Sequence, residues 1–217
     1  MDMTLTRNDI RAVLAELLGT LVFVLLGTSA VVSVANADDA GKFMVIAVAH
    51  GLAILVVVGF TAKLSGGHIN PAVTLAMMFS RHIGIFRGSL YIVAQAVGAV
   101  VGSLLVKWVV PNSIEGNLGA HGLSNGASVG EGLLLEILLT FILLLVIYNV
   151  AVGKRAAVSA PVAIGLTVLI LHFSGLFLTG GSFNPARSFG PAVVANVWGD
   201  FWIYILGPAI GAIAMSI

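Results

Sequence analysis

Six apolar stretches punctuate this chain, at roughly 11–34, 44–62, 85–107, 131–151, 158–178 and 201–217. Each approaches the length of about 20 residues that a helix needs to cross a bilayer. Polar and turn residues gather between them, at Asn36 to Lys42, Pro111 to Gly130 and Gly153 to Arg155. Two further apolar segments, 70–79 and 184–195, are too short to cross, and each opens with Asn-Pro after a glycine pair. An ordinary loop carrying a surface helix would explain one such segment. Two of them, at matched places, predict re-entrant half-helices.

Composition sharpens this. Charged residues make up 9% of the chain and apolar residues 59%, against roughly 25% charged in an average soluble protein. So few charges could not cover a soluble globule, and so much apolar surface excludes disorder. The net charge of +1 leaves no electrostatic footprint for nucleic acid. Without cysteine there is no disulfide framework, thiolate metal site or cysteine nucleophile. The expectation is an all-α integral membrane protein, multi-pass in the lipid bilayer. The first apolar run is full length and follows Arg7 and Arg11, so no cleavable signal peptide is expected. The sixth span is short and ends with the chain, the pattern expected where a C-terminal tail has been lost or removed.

Arg7, Arg11, Lys63, Arg81, Arg87, Lys154 and Arg155 fall on one side of this scheme, and only Lys42 and Lys107 on the other, leaving aside Arg187, which is expected inside the protein. The positive-inside rule then places both termini in the cytoplasm.

The chain also repeats itself. Gly66-Gly67-His68-Ile69-Asn70-Pro71-Ala72 is answered by Gly180-Gly181-Ser182-Phe183-Asn184-Pro185-Ala186, and Ala15-Glu16-Leu17-Leu18-Gly19-Thr20 by Leu135-Glu136-Ile137-Leu138-Leu139-Thr140. Within one transmembrane channel domain, 1–217, the repeats run from about 11–107 and 131–217. Three spans per repeat is an odd number, so the halves must be inverted. Six transmembrane helices plus two re-entrant half-helices in an inverted repeat point to a transport path near the bilayer midplane.

Asn is a favoured N-cap and Pro a favoured first helical residue, so Asn70-Pro71 and Asn184-Pro185 read as helix starts. Each Asn oxygen would accept from first-turn amides and leave its NH2 donors to face the path. Two helix N-termini meeting at the centre, each with about half a positive charge, would repel cations and protons. Before each Asn, the runs through Gly66, Gly67 and His68 and through Gly180, Gly181 and Ser182 would be non-helical, with carbonyls lining a wet cavity. Arg187 stands in the first turn of the second half-helix, where a cation opposes the dipole; its counterpart is Val73. A costly charge in one half alone predicts a filter role. Glu16 and Glu136, buried in equivalent spans, read either as proton carriers or as acceptors for the unpaired amides of the re-entrant loops, with Gln95 in a similar supporting role. The Gly84/Gly88, Gly98/Gly102 and Gly207/Gly211 pairs have the spacing of helix contacts.

These motifs resemble the aquaporin, or major intrinsic protein, family over essentially the whole chain. The resemblance implies a homotetramer with a separate pore in each subunit, conducting water or small neutral solutes, with no cofactor and no metal. It also implies a four-residue selectivity filter at His50, His172, Gly181 and Arg187. His172 and Arg187 fit the water-selective pattern, whereas His50 stands where an aromatic Phe is usual and resembles the tonoplast branch, some of whose members also pass ammonia. His121 stands at the spacing of a loop histidine that joins the filter in such members; the alternative is a solvated loop histidine. His68 matches a pore-lining histidine of the family. Ser188 and His172 depart from the glycerol-conducting pattern.

The expected function is single-file water conduction. The alternatives are a channel that also conducts ammonia, through His50 and His121, and a non-conducting membrane structural protein of the same fold. An enzyme is not expected, since no nucleophile–base set or phosphate-cradling loop is present. Three histidines beside an arginine invite a pH response rather than a metal site. The resemblance also implies that mercurials act through a cysteine at the position of Gly181. Flux through this cysteine-free chain is therefore expected to resist mercury; block of the unmodified protein by micromolar mercury in a vesicle swelling assay would contradict that.

Overall fold

The computed structural model describes residues 5–37, 40–124, 126–153 and 158–217. Helices α1 (Arg7–Ser33), α2 (Gly41–Ser65), α4 (Ile85–Val109) and α6 (Val129–Ile147, continued by a widened turn Tyr148–Val152) are long and apolar enough to cross a membrane. Two shorter apolar helices, α7 (Ala160–Gly175) and α9 (Ile203–Ser216), occupy the fifth and sixth expected spans. The half-helices α3 (Pro71–Phe79) and α8 (Pro185–Ala195) start where the Asn-Pro pairs predict, and a short helix α5 (Asn112–Glu115) lies in the central connection. Lys154 and Arg155, counted in the charge asymmetry, lie outside the described residues.

Local chemistry sets the ends of these elements. Thr6 and Ser128 cap α1 and α6, each in a reciprocal pair with the acidic residue three positions on, Asp9 or Glu131. Asn70 and Asn184 cap the half-helices, with Pro at the first helical position. Gly66 ends α2 in the left-handed conformation.

The helices pair in a two-fold pattern. α1 packs along α4 as α6 packs along α9, while α2 packs along α7. Each half-helix also lies against the last helix of the other half: α8 against α4, and α3 against α9. Glycines permit the closest crossings. A Cβ on Gly51 would stand 2.8 Å from the Gly165 carbonyl oxygen, and one on Gly165 would stand 2.8 Å from that of Gly51. Gly102 abuts the α1 backbone at Leu21, and Gly211 the α6 backbone at Ile137. Of the pairs singled out by spacing, Gly88 meets the Met78 side chain, but Gly84 meets nothing; it caps α4 rather than seating a neighbour.

The re-entrant loops are held from behind by two carboxylates. Glu16 Oε1 accepts from Ser65 Oγ at 2.6 Å and His68 N at 2.9 Å; its Oε2 accepts from Ile69 N at 2.7 Å and Gln95 Nε2 at 2.8 Å. Glu136 repeats the scheme, accepting from Thr179 Oγ1 at 2.7 Å, Ser182 N at 3.0 Å and Phe183 N at 2.6 Å. Both side chains are fully buried. They pin the residue before each Asn, and those residues need pinning. Ile69 has φ 55° and Phe183 φ 35°, positive values that cost a bulky or β-branched residue about 1–3 kcal/mol. Each carboxylate accepts from two successive loop amides, and Glu16 accepts in addition from Gln95 on α4.

Glu136→Ala strands the buried amides of Ser182 and Phe183, each at a cost of about 1–3 kcal/mol, and leaves the Thr179 hydroxyl only the Gly175 carbonyl. The variant is expected to lower the thermal unfolding midpoint of the detergent-solubilised protein sharply. A midpoint equal to that of the unmodified chain would mean that the second loop is held by something else.

Candidate functional site

The two half-helices meet N-terminus to N-terminus, and their caps interlock. Asn70 Oδ1 accepts from Ala72 N at 2.8 Å, while its Nδ2 donates to the Phe183 carbonyl at 2.8 Å. Asn184 Oδ1 accepts from Ala186 N at 3.0 Å and Arg187 N at 3.3 Å, while its Nδ2 donates to the Ile69 carbonyl at 3.0 Å. This corrects the sequence-based expectation that the Asn donors are wholly free. One hydrogen of each amide clasps the opposite loop, leaving one for the path. The Ile69 and Phe183 carbonyls are likewise taken by the clasp.

Both asparagines line a cavity of about 210 Å³ that also includes Gly66, Gly67, His68, Phe183 and the apolar side chains Phe23, Ile54, Val58 and Leu143. A second cavity of about 370 Å³ is lined by Gly119, Ala120, His121, Gly180, Leu176 and Arg187. The His50, His172 and Arg187 cluster is buried, and Arg187 lines the second cavity. Pro71, Ala72, Pro185 and Ala186 turn the other way, onto an apolar cleft beside Leu75, Ile92 and Phe189.

Three of the four filter candidates come together directly. Arg187 Nε donates to His50 Nε2 at 2.9 Å, and Arg187 Nη1 donates to the Gly119 carbonyl at 3.0 Å. Guanidinium can only donate, so His50 Nε2 is the acceptor and its Nδ1 carries the proton toward the Ile46 carbonyl, 2.8 Å away. His50 is thus a neutral imidazole in this arrangement. Its ring lies over that of His172, with centroids 4.3 Å apart and planes tilted by 31°. His172 Nδ1 sits 2.8 Å from the Val168 carbonyl, which leaves Nε2 as the lone-pair atom; it is buried and has no protein partner among the described residues. Gly181, the fourth, takes φ 66°, a left-handed conformation that suits glycine, and a Cβ there would lie 3.6 Å from His172.

His121 is placed beside this cluster rather than in solvent. It is buried, its Nδ1 is 2.8 Å from Ser188 Oγ, and its ring stacks at 5.0 Å on Tyr204. Burial first, then the Arg187 charge, pushes this loop imidazole well below the usual histidine range, so it is neutral near pH 7. Ser188 Oγ also bonds Ser182 Oγ, which ties His121 to the second re-entrant loop. On the first loop the matching chain runs from His68 Nδ1 to Thr74 Oγ1 at 3.1 Å, and Gln95 Nε2 donates to the same hydroxyl at 3.0 Å.

Some contributors carried no motif. The Gly119 carbonyl, in the connection between α5 and α6, holds the guanidinium. Tyr91 donates its hydroxyl to the Ser65 carbonyl at 3.0 Å and faces His68 edge-on. Tyr148 reaches from the widened turn after α6 to the Ala76 carbonyl at 3.0 Å and fixes the far end of α3. No local pattern signals these contacts, because each depends on the partner element's position.

Comparison with known proteins agrees with this geometry. The chain matches the major intrinsic protein family over residues 3–217. It is 41% identical over 207 residues to aquaporin-4 of Mus musculus, covering 94% of this chain and 64% of that protein. It is 40% identical over 210 residues to aquaporin-5 of Mus musculus, covering 95% of this chain and 78% of that one. The chain thus spans just under two thirds of the mouse aquaporin-4 length. In structure it resembles the aquaglyceroporin of Plasmodium falciparum, with a TM-score of 0.86 and 26% identity, covering 96% and 94% of the two chains. With both cap motifs, both loop-holding carboxylates and a match over nearly its full length, the chain belongs to the major intrinsic protein family.

Proposed function

We propose that this protein is a passive channel that conducts water in single file across a membrane while excluding ions and protons. The observation that carries the reading is the pair of clasped asparagines at two opposed helix N-termini, both lining one cavity. Each N-terminus brings about half a positive charge to the path. Arg187 adds a full one close by, so a cation or hydronium meets a barrier where water meets donors. Asn70 and Asn184 offer one amide hydrogen each; His172 Nε2 offers a lone pair; the Gly66, Gly67, Gly180 and Gly181 loops bring backbone close to the path. The similarity to aquaporin-4 and aquaporin-5 supports water as the solute.

Around this path, the filter comprises His50, His172, Gly181 and Arg187, with His121 as a fifth member. The channel assembles as a homotetramer with one pore per subunit, and both termini face the cytoplasm, an orientation that the Lys and Arg distribution supports. A second reading, water with ammonia, is favoured by one observation: His121 lines the same cavity as Arg187. A neutral imidazole there can accept a hydrogen bond from ammonia as readily as from water.

Stopped-flow light scattering on proteoliposomes tests both. The water reading requires osmotic shrinkage well above that of protein-free vesicles, with an imposed pH gradient left intact. Arg187→Val is expected to retain water flux and to admit urea severalfold faster. An ammonium gradient read by an internal pH dye tests the second reading, and ammonia flux should then fall in His50→Phe. Vesicles holding folded protein but showing neither flux would leave only the structural reading.

A further inference from the structure

Gly27 belongs to neither the loops nor the filter, yet its position is hard to explain by packing of helices. It lies in the interior of α1, where glycine costs roughly 1 kcal/mol relative to alanine. The other buried glycines of the spanning helices mostly seat a neighbouring backbone, as Gly51, Gly98, Gly102, Gly165 and Gly211 do. Gly27 seats none. The atoms nearest to a Cβ built there all belong to one imidazole: His50 Nε2 at 2.5 Å, Cδ2 at 2.8 Å and Cε1 at 3.0 Å. All three lie well inside ordinary contact, which for carbon atoms is about 3.5–4.0 Å.

The imidazole in that slot is held on every side. Ile46 O fixes Nδ1, Arg187 Nε fixes Nε2, His172 covers the face at 4.3 Å, and Phe23 meets the ring at 5.7 Å with planes at 81°. His50 has no exposed surface. The slot therefore exists only because residue 27 has no side chain. The inverted half is built differently. Counting from the carboxylates, the position matching Gly27 is Ile147; counting from the asparagines, the position matching His50 is Ile164. Both isoleucines line the first cavity. Where the second half places two bulky side chains toward the path, the first half removes one and draws the other back against α1.

We infer that Gly27, which lies outside the filter itself, is a positioning residue that determines filter bore and selectivity. It withdraws His50 into α1 and so aligns the Arg187 guanidinium. This deepens the water-channel reading and rests on it. A methyl group at position 27 displaces the imidazole away from α1. The Nε2 acceptor then leaves Arg187 Nε, and both groups move into the space that solute must cross. The effect belongs to His50: the three atoms nearest to a Cβ at position 27 all belong to its ring, and they are the ones closer than ordinary contact.

A double-mutant cycle tests this on the full chain in proteoliposomes, with water permeability expressed per folded channel. Gly27→Ala is expected to lower unit water permeability by about fivefold or more, and the same substitution in a His50→Ala background to change it little, the mark of direct coupling. Unit permeability unchanged by Gly27→Ala, or lowered equally in both backgrounds, would overturn the inference. If Gly27→Ala does not fold, recovery of folded protein in Gly27→Ala/His50→Ala supports the slot, and failure of both overturns it. If the unmodified chain conducts no water, the channel reading fails separately; thermal midpoints of the same four proteins then decide whether positions 27 and 50 are coupled.

Discussion

Two helix N-termini pointed at each other are an unfavourable arrangement, since like partial charges face across a narrow gap and each end carries unpaired amides. The structure depends on the way this is resolved. Each Asn caps its own half-helix through oxygen and grips the opposite loop through nitrogen, so one side chain satisfies two sets of backbone groups. The residual positive potential is left directed at the path. In the channel proposed above, what would be a folding defect elsewhere serves as a barrier against cations.

The clasp needs rigid backing, because the carbonyls it grips belong to Ile69 and Phe183, both in strained conformations. Glu16 and Glu136 supply that backing by holding the amides of the same two residues. Each loop is thus pinned at N–H and C=O alike. A buried carboxylate is unfavourable unless its lone pairs are filled, and here backbone amides and hydroxyls fill them. Glu16 gains Gln95 as a fourth partner; Glu136 makes three bonds among the described residues, and Tyr204, buried nearby on α9, has an unpaired hydroxyl. The two halves share their supports while differing in their fine chemistry, and that difference falls where the filter candidates lie.

Much of this was legible in the residues themselves. Asn-Pro after paired glycines locates a helix start within one residue, since capping and φ preferences act locally. Blocks of apolar residues mark the spans for the same reason. The NH2 donors of Asn70 and Asn184 were not legible in full, because their partners lie more than a hundred residues away. Nor was the Gly119 carbonyl, since a backbone oxygen has no sequence signature. Gly84 shows the converse limit: glycine spacing suggests a contact, but only the neighbour's position says whether one exists.

The exchange of half-helices between halves also bears on assembly over time. Segment Pro71–Phe79 rests against Ile203–Ser216, and segment Pro185–Ala195 against Ile85–Val109. An early part of the chain, already against α4, therefore completes its surroundings only after the last helix is in place. Until then, a strained loop with polar backbone must wait in or beside the bilayer without its clasp. The first three spans can insert in order of synthesis, but the path can close around its axis only in a single late step that engages both ends of the sequence at once.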